Sequence, residues 1–415
     1  MAAAASGSID ELDIISPAGY AADGYPHEAW RRLRRESPVH FFADAEQPYW
    51  AVTKHADITT VGRQPDLFLN GPQLIVRANY DENRGPRPKT LIEQDNPLHR
   101  KSRKLISDRF TPRALKKIHA PVQRIAQQIV DDLLAEGDEG TVDFVEKVSA
   151  PLPIAVIAWL LGVPESDWRL IFDWTNRMIG VDDPEYNPPS GDKNAEGQRA
   201  TVELFTYFAK LVEERKRDPK DDLITLFAHA EIDGKPLDPI DVLAWCQIIV
   251  VAGNETTRNA TSGGILSFAQ NMGELRKLQA NPALLDSAIE EVVRWNSPII
   301  HFARTVAADT ELHGRKLAKG DLLALFYPSA NRDEDVFEDP DVFRIDRRPN
   351  RHIGFGVGEH FCAGAHLARL ELEVAYRHLL PRIEELEIAG PVDRLQSNLV
   401  GGIKRLPIHY KLKPA

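Results

Sequence analysis

The chain has 415 residues, 43% of them hydrophobic, and 62 acidic against 51 basic side chains leave a net charge of −11. That size and apolar share suffice for a large core, in one big domain or two fused ones, while the acidic balance argues against nucleic acid as the main partner, since phosphate binding needs a dominant basic footprint. The two cysteines, Cys246 and Cys362, are too far apart in sequence to suggest a disulfide framework and fit a reducing cytoplasm.

The start, MAAAASGSIDELDIISPAGY, has neither a basic n-region nor an apolar h-region, so no signal peptide or membrane anchor is expected. PVHFF from Pro38 and YWAVT from Tyr49 are strand-like. Helical spacing then runs from His99 to Val130 and from Phe144 to Leu161. The polar, proline-rich stretch from Val181 to Gly197 is expected to be an exposed or mobile loop. Helices are predicted again over Gln198 to Arg217, Asp238 to Asn271 and Pro282 to Trp295. A short strand around Ile300 and Phe302, the strand LLALFY, a helix behind Cys362 and the strand LPIHYKL complete the chain. The most apolar runs, IAVIAWLLGV and VLAWCQIIVVAG, fall short of the roughly 20 residues that cross a bilayer and are core helices. The fold class is mainly α with small β-sheets.

Three constellations carry chemistry. In FGVGEHFCAG, Phe355 to Gly364, Cys362 precedes a helix N-terminus, where free backbone N–H groups favour a thiolate. Gly356, Gly358 and Gly364 permit a tight backbone close to a flat cofactor, and Phe355 offers an aromatic cover for the sulfur. Iron ligation through Cys362 and a zinc site built from His352, His360, Cys362 and His366 are both open at this point. In AGNETT, Ala252 and Gly253 leave room beside the helix, Thr256 is able to turn its hydroxyl into a backbone carbonyl, and Glu255 with Thr256 forms an acid–alcohol pair suited to passing protons. Glu291 and Arg294 stand i and i+3 on a predicted helix.

Together these segments resemble the cytochrome P450 haem-thiolate monooxygenases: F-x-x-G-x-H-x-C-x-G at Phe355 to Gly364, A-G-x-[DE]-T-[ST] at Ala252 to Thr257, and E-x-x-R at Glu291 and Arg294 with P-x-x-F-x-x-x-R at Pro340, Phe343 and Arg347. The resemblance implies the cytochrome P450 fold, with haem between a long distal helix and the Cys362 loop. Residues 1–25 are then an N-terminal extension and 26–415 a single haem domain. Cys362 would be the iron ligand of haem b (iron protoporphyrin IX). Phe355, Gly364 and Ala252 would lie against the cofactor, and His99, Arg103, Arg304, His352 and His360 would meet its propionates. Glu255 and Thr256 would serve O2 activation. Glu291, Arg294 and Arg347 would buttress the loop.

The positions matching the family's substrate pocket are Leu74, Ile75, Ile248, Val251, Ile299, Ile300, Phe302, Leu399 and Val400, nearly all aliphatic. They imply hydroxylation of a compact apolar molecule. PAGYAADGYPHEAWRRLR and NLVGGIKRLPI are most similar to the bacterial terpene-hydroxylating branch, alpha-terpineol hydroxylation in particular, which favours a monoterpenoid. A steroid or alkylaromatic hydroxylase is the alternative within the family, and a haem-binding sensor or carrier the alternative outside its chemistry. Electrons are expected from an iron–sulfur ferredoxin with its NAD(P)H-dependent reductase, docking on a basic patch of Arg100, Lys101, Arg103, Lys104, Arg109, Arg113, Lys116 and Lys117. The enzyme is expected to be a cytoplasmic monomer.

Overall fold

The computed structural model describes residues 7–77, 89–188 and 195–413. Its helices include α1 (Leu98–Ser107), α2 (Pro112–Glu136), α3 (Pro151–Leu161), α4 (Trp168–Ile179), α5 (Ala195–Arg217), α6 (Pro239–Gln270), α7 (Leu285–Asn296) and α8 (Ala365–Leu379). Its strands include β1 (Val39–Phe42), β2 (Tyr49–Val52), β3 (Phe68–Leu69), β4 (Glu139–Asp143), β5 (His301–Val306), β6 (Leu322–Phe326), β7 (Ile383–Ile388) and β8 (Pro407–Leu412). Five strands form a sheet in the order β1-β2-β6-β5-β3, parallel only between β6 and β2. β7, β8 and β4 form a second, antiparallel sheet.

The 32-residue α6 organises the helical core. Asp238 caps it by accepting the Ile240 N–H at 3.0 Å, with Pro239 at the first helical position, where a missing N–H costs no helical bond. It packs against α3, α4, α5, α7 and α8 and is buried on nearly every side along its second half. Gly264 permits this crowding, since a Cβ there would lie 1.9 Å from the Tyr376 hydroxyl of α8.

Local chemistry explains where the predicted elements divide. The helix expected from His99 to Val130 is two, because Thr111 caps α2 through the Ala114 N–H at 3.2 Å and Pro112 starts it. A π-type turn at Val145–Ser149 precedes α3. The helix α4 was not anticipated. The described part of the expected loop, residues 181–188, is anchored: buried Asp183 accepts the Gln396 N–H at 2.9 Å and pairs with Lys404 at 3.1 Å. Residues 189–194 of that loop lie outside the described residues. Near the start, Ile14 and Tyr20 are buried in one cluster with Trp30, Phe42, Tyr49 and Phe326.

Fully buried Glu291 holds α7 to the long connection before Cys362. Arg294 grips its carboxylate with two bonds of 2.7 and 2.8 Å, and Arg347 adds bonds of 3.1 and 3.2 Å. The two guanidiniums also donate to the backbone carbonyls of Asn331, Pro340, Asp339 and Val342. Removing one member of such a network strands buried charge. Glu291→Ala is therefore expected to destabilise the fold by about 3–5 kcal/mol in chemical denaturation, and a loss under about 1 kcal/mol would contradict this role.

Candidate active site

The loop ahead of α8 is closed by backbone bonds from Cys362 N–H to Phe355 O at 2.9 Å, Phe361 N–H to Gly358 O at 3.1 Å and Gly356 N–H to Ile353 O at 2.9 Å. Gly356 and Gly358 have φ of +72° and +76°, and a Cβ on Gly358 would lie 1.9 Å from the Gly62 carbonyl oxygen. Gly364 differs. Its φ is −86°, and a Cβ there would meet only the Cys362 sulfur at 4.0 Å, so the backbone does not demand glycine at this position.

Cys362 is a free, solvent-accessible cysteine, whereas Cys246 is buried. Desolvation pushes its thiol up, opposed by the Gly364 backbone and by Arg103 and Arg369. The helix N-terminus alone therefore does not produce the thiolate that the sequence pattern suggests. Phe355 packs beside the sulfur's loop with the Arg369 guanidinium 4.4 Å over its ring.

Four of the five predicted propionate partners converge. The rings of His99 and His360 stack at 3.8 Å and 19°. Burial, then His99, Arg304 and Arg103, hold His360 down at about 2, so its imidazole is neutral. Buried Arg304 donates to Ala303 O at 2.8 Å and bonds Tyr327, while Arg103 reaches Phe361 O at 2.7 Å. His99 Nδ1 is buried without a partner, and among the described residues no carboxylate bonds any of the four. Two guanidiniums and two imidazoles with no bonded acid present N–H donors to an anion, which fits haem propionates. His352 does not join it. Its Nε2 lies 3.0 Å from Glu290, and its Nδ1 accepts the Gly354 N–H at 3.2 Å, so both ring nitrogens are engaged. The zinc alternative has no geometry either: among the described residues no three His, Cys, Asp or Glu side chains are placed to hold a metal ion.

On α6, Ala252 is exposed and Thr256 is half-buried, although the helix that follows them is core. Thr256 Oγ1 donates to the Ala252 carbonyl at 2.8 Å, the i−4 bond that weakens a helical turn. Glu255 faces elsewhere, since consecutive helical residues are about 100° apart. It is buried in an ion pair with Arg258, which donates to Asn176 Oδ1 at 3.0 Å and lies 5.6 Å over the Phe172 ring. Burial raises the Glu255 carboxyl and Arg258 opposes this. Asn254 reaches Thr175 at 2.9 Å, so α4 is fastened to α6 on both sides of Glu255. Sequence reasoning missed Arg258, Asn176 and Thr175, although the i, i+3 spacing of Glu255 and Arg258 was a usable signal.

Of the predicted pocket residues, Val251, Ile299, Leu399 and Val400 pack together with Ile179, Leu395 and Tyr186. The Leu74 carbonyl accepts the Ala303 N–H at 2.6 Å, which sets Leu74 and buried Ile75 beside β5. Ile248 is half-buried against the main core one turn before Val251, and Phe302 is half-buried with its ring 6.1 Å from Tyr327. Ile300 departs from expectation. It is fully buried in the cluster of Trp30 and Phe326, because neighbours in an extended chain point to opposite sides.

The predicted basic patch is half neutralised within the chain. Arg100 pairs with Glu359, Lys101 with Asp233, and Arg109 and Lys117 with Asp221. Lys104, Arg113 and Lys116 are exposed with no acidic partner among the described residues.

Glu290, between Arg369 and His352, provides a pH probe of the loop's support. Burial raises its carboxyl, but bonds from Arg369 at 2.6 and 2.8 Å and from His352 outweigh this and hold it at about 2 rather than 4.5. A depressed carboxyl stabilises the fold above its unfolded pKa, and that contribution is lost as pH falls through the folded one. Glu290→Gln is expected to flatten the stability profile between pH 4.5 and about 2, and equal slopes in urea titrations of variant and parent would refute the pairing.

Among the described residues no helix is long and apolar enough to cross a membrane. The cytochrome P450 family model matches residues 19–412. The chain is similar to cytochrome P450-terp of a Pseudomonas species, at 36% identity over 96% of each chain. It is also similar to steroid C26-monooxygenase of Mycolicibacterium smegmatis, at 37% identity over 93% of this chain and 90% of that one. The solved structure of a Mycobacterium marinum cytochrome P450 in complex with pseudoionone superposes with a TM-score of 0.90 at 34% identity, covering 98% of this chain and 100% of that one. This chain belongs to the cytochrome P450 family, monooxygenases that use haem iron and O2, act on apolar substrates and draw electrons from redox partners.

Proposed function

We propose that this cytochrome P450 binds haem b and hydroxylates a small apolar terpenoid with electrons from a ferredoxin. The observation that carries the substrate class is the aliphatic cluster of Val251, Ile299, Leu399 and Val400, which would line a recess with few polar anchors. The likeness to cytochrome P450-terp and to a pseudoionone-binding relative supports a terpenoid, and the steroid C26-monooxygenase favours a sterol side chain as the second reading.

Bound haem would supply iron, ligated by the Cys362 thiolate, at which two electrons and two protons reduce O2 so that one oxygen atom enters a C–H bond and the other leaves as water. His99, Arg103, Arg304 and His360 would hold the propionates, and Phe355 under Arg369 would cover the sulfur. The Thr256 hydroxyl would hand a proton into the recess at Oγ1. Glu255 would resupply it once its carboxylate turns away from Arg258, an alternation the buried ion pair makes slow without a trigger. Ala252 leaves room at the same turn, while the aliphatic walls exclude water. Residues 26–415 would act as one haem domain.

Titration of the holoenzyme with alpha-terpineol is expected to give a low-to-high spin shift in the Soret region, with no shift from 4-cholesten-3-one. The opposite pattern would favour the sterol reading. With the substrate bound, Thr256→Ala is expected to cut product formed per electron consumed by about a hundredfold, the lower end of what one positioned proton-transfer group contributes. Unchanged coupling would remove Thr256 from proton delivery.

Exposed Lys104, Arg113 and Lys116 are the free charges left for an acidic ferredoxin. Reversing Lys104 and Arg113 to Glu is expected to slow reduction most at low salt, and an unchanged rate with unchanged salt dependence would rule out docking there.

A further inference from the structure

His301, the first residue of β5, takes no part in the chemistry above, yet the segments that carry the apolar walls meet at its side chain. It is fully buried, with its ring 5.5 Å from that of Phe326. Its Nε2 accepts the Val76 N–H at 3.1 Å, which places the ring proton of the neutral imidazole on Nδ1. The other side of the Val76 residue is also held, because its carbonyl accepts from Asn398 Nδ2 at 3.0 Å. Backbone bonds close the same triangle: Ala303 N–H to Leu74 O at 2.6 Å, and Ile300 N–H to Leu399 O at 2.8 Å. Burial pushes the imidazole down to about 4, opposed by the Asn398 backbone, so the ring is neutral near pH 7 and able to accept.

Neither the Leu74–Val76 strap nor the Asn398–Val400 turn lies in a regular ladder, so a handful of bonds sets where their side chains stand. We propose that His301 is a specificity-determining positioning residue, which pins the strap through the Val76 N–H and, with Asn398, keeps Leu74, Ile299 and Leu399 in fixed register around the substrate space. This rests on the assignment of those residues as pocket walls and is independent of which substrate occupies it. The residue acts through the peptide it holds. An acceptor at that point is the requirement, and a side chain of similar volume lacking one leaves a buried N–H unpaired.

The test uses the holoenzyme and two iron-binding probes of different reach. Imidazole is small enough to bind without pressing on the walls, whereas the phenyl ring of 4-phenylimidazole has to fit between them. In His301→Leu the affinity for 4-phenylimidazole is expected to fall about tenfold while that for imidazole stays within about twofold, as judged by spectral titration. His301→Gln, whose amide oxygen is able to accept the Val76 N–H, is expected to restore the parental ratio. Parallel changes for both probes, no change for either, or a Gln variant as poor as Leu would each overturn the proposal. If His301→Leu does not fold, Asn398→Leu removes the other bond on Val76 and carries the same expectation. Because neither probe is a terpenoid, a missing spin shift with alpha-terpineol would sink the substrate assignment and leave this test intact.

Discussion

The cysteine loop depends on one buried carboxylate. Glu291 has no access to water, and its charge is balanced within the protein by Arg294 and Arg347, with Asn350 Nδ2 at 3.1 Å and the Arg344 N–H at 2.9 Å filling its remaining acceptor sites. Charge buried this completely tolerates little displacement, so α7 and residues 339–350 form one rigid body. Asn331 extends it. Its carbonyl takes Arg294, its Nδ2 reaches Ser297 at 2.8 Å, and its Oδ1 accepts the Ile353 N–H at 2.8 Å, where the chain enters the loop that ends at Cys362. Glu290, one position earlier on α7, adds a second tie through His352 and Arg369. Adjacent carboxylates on one helix thus secure the loop from two directions.

The residues near the cysteine loop follow a different electrostatic pattern from the Glu291 network. His99, Arg103, Arg304 and His360 face one another with no acid bonded among them, and the thiol of Cys362 is pushed up by desolvation. Under the proposed function, a cofactor bringing anionic propionates and a cation for the sulfur would supply partners for both. On α6, by contrast, Glu255 already has a buried cationic partner in Arg258, to which Asn176 is fastened, although its Oε1 is buried without a hydrogen-bond partner.

The apolar walls follow a third logic. Val251 comes from a helix, Ile299 from the segment just before β5, where it bridges Val400, and Leu399 and Val400 from a turn, so no single element determines the shape of this cluster. Bonds between the elements do, and His301 and Asn398 supply two of them at one residue.

Much was legible in the sequence because it depends on local spacing. The mainly α fold, the course of α6 from its Asp238 cap, the glycines at 356 and 358, and the Glu291, Arg294 and Arg347 set are all written in residue types at fixed separations. What tertiary structure decided is which way side chains turn and what meets them. Ile300 joins the Trp30 cluster while Ile299 packs with Leu399 and Val400, a choice settled by how this segment pairs with the Leu399–Val400 turn. His352 turned to Glu290 because that carboxylate, 62 positions away, lies 3.0 Å from its ring. Glu255 paired with Arg258 and, through it, with an unanticipated α4, where sequence adjacency to Thr256 suggested a direct relay. Periodicity and motif spacing encode interactions along a few turns of chain, whereas burial and pairing depend on contacts between residues that only folding brings together.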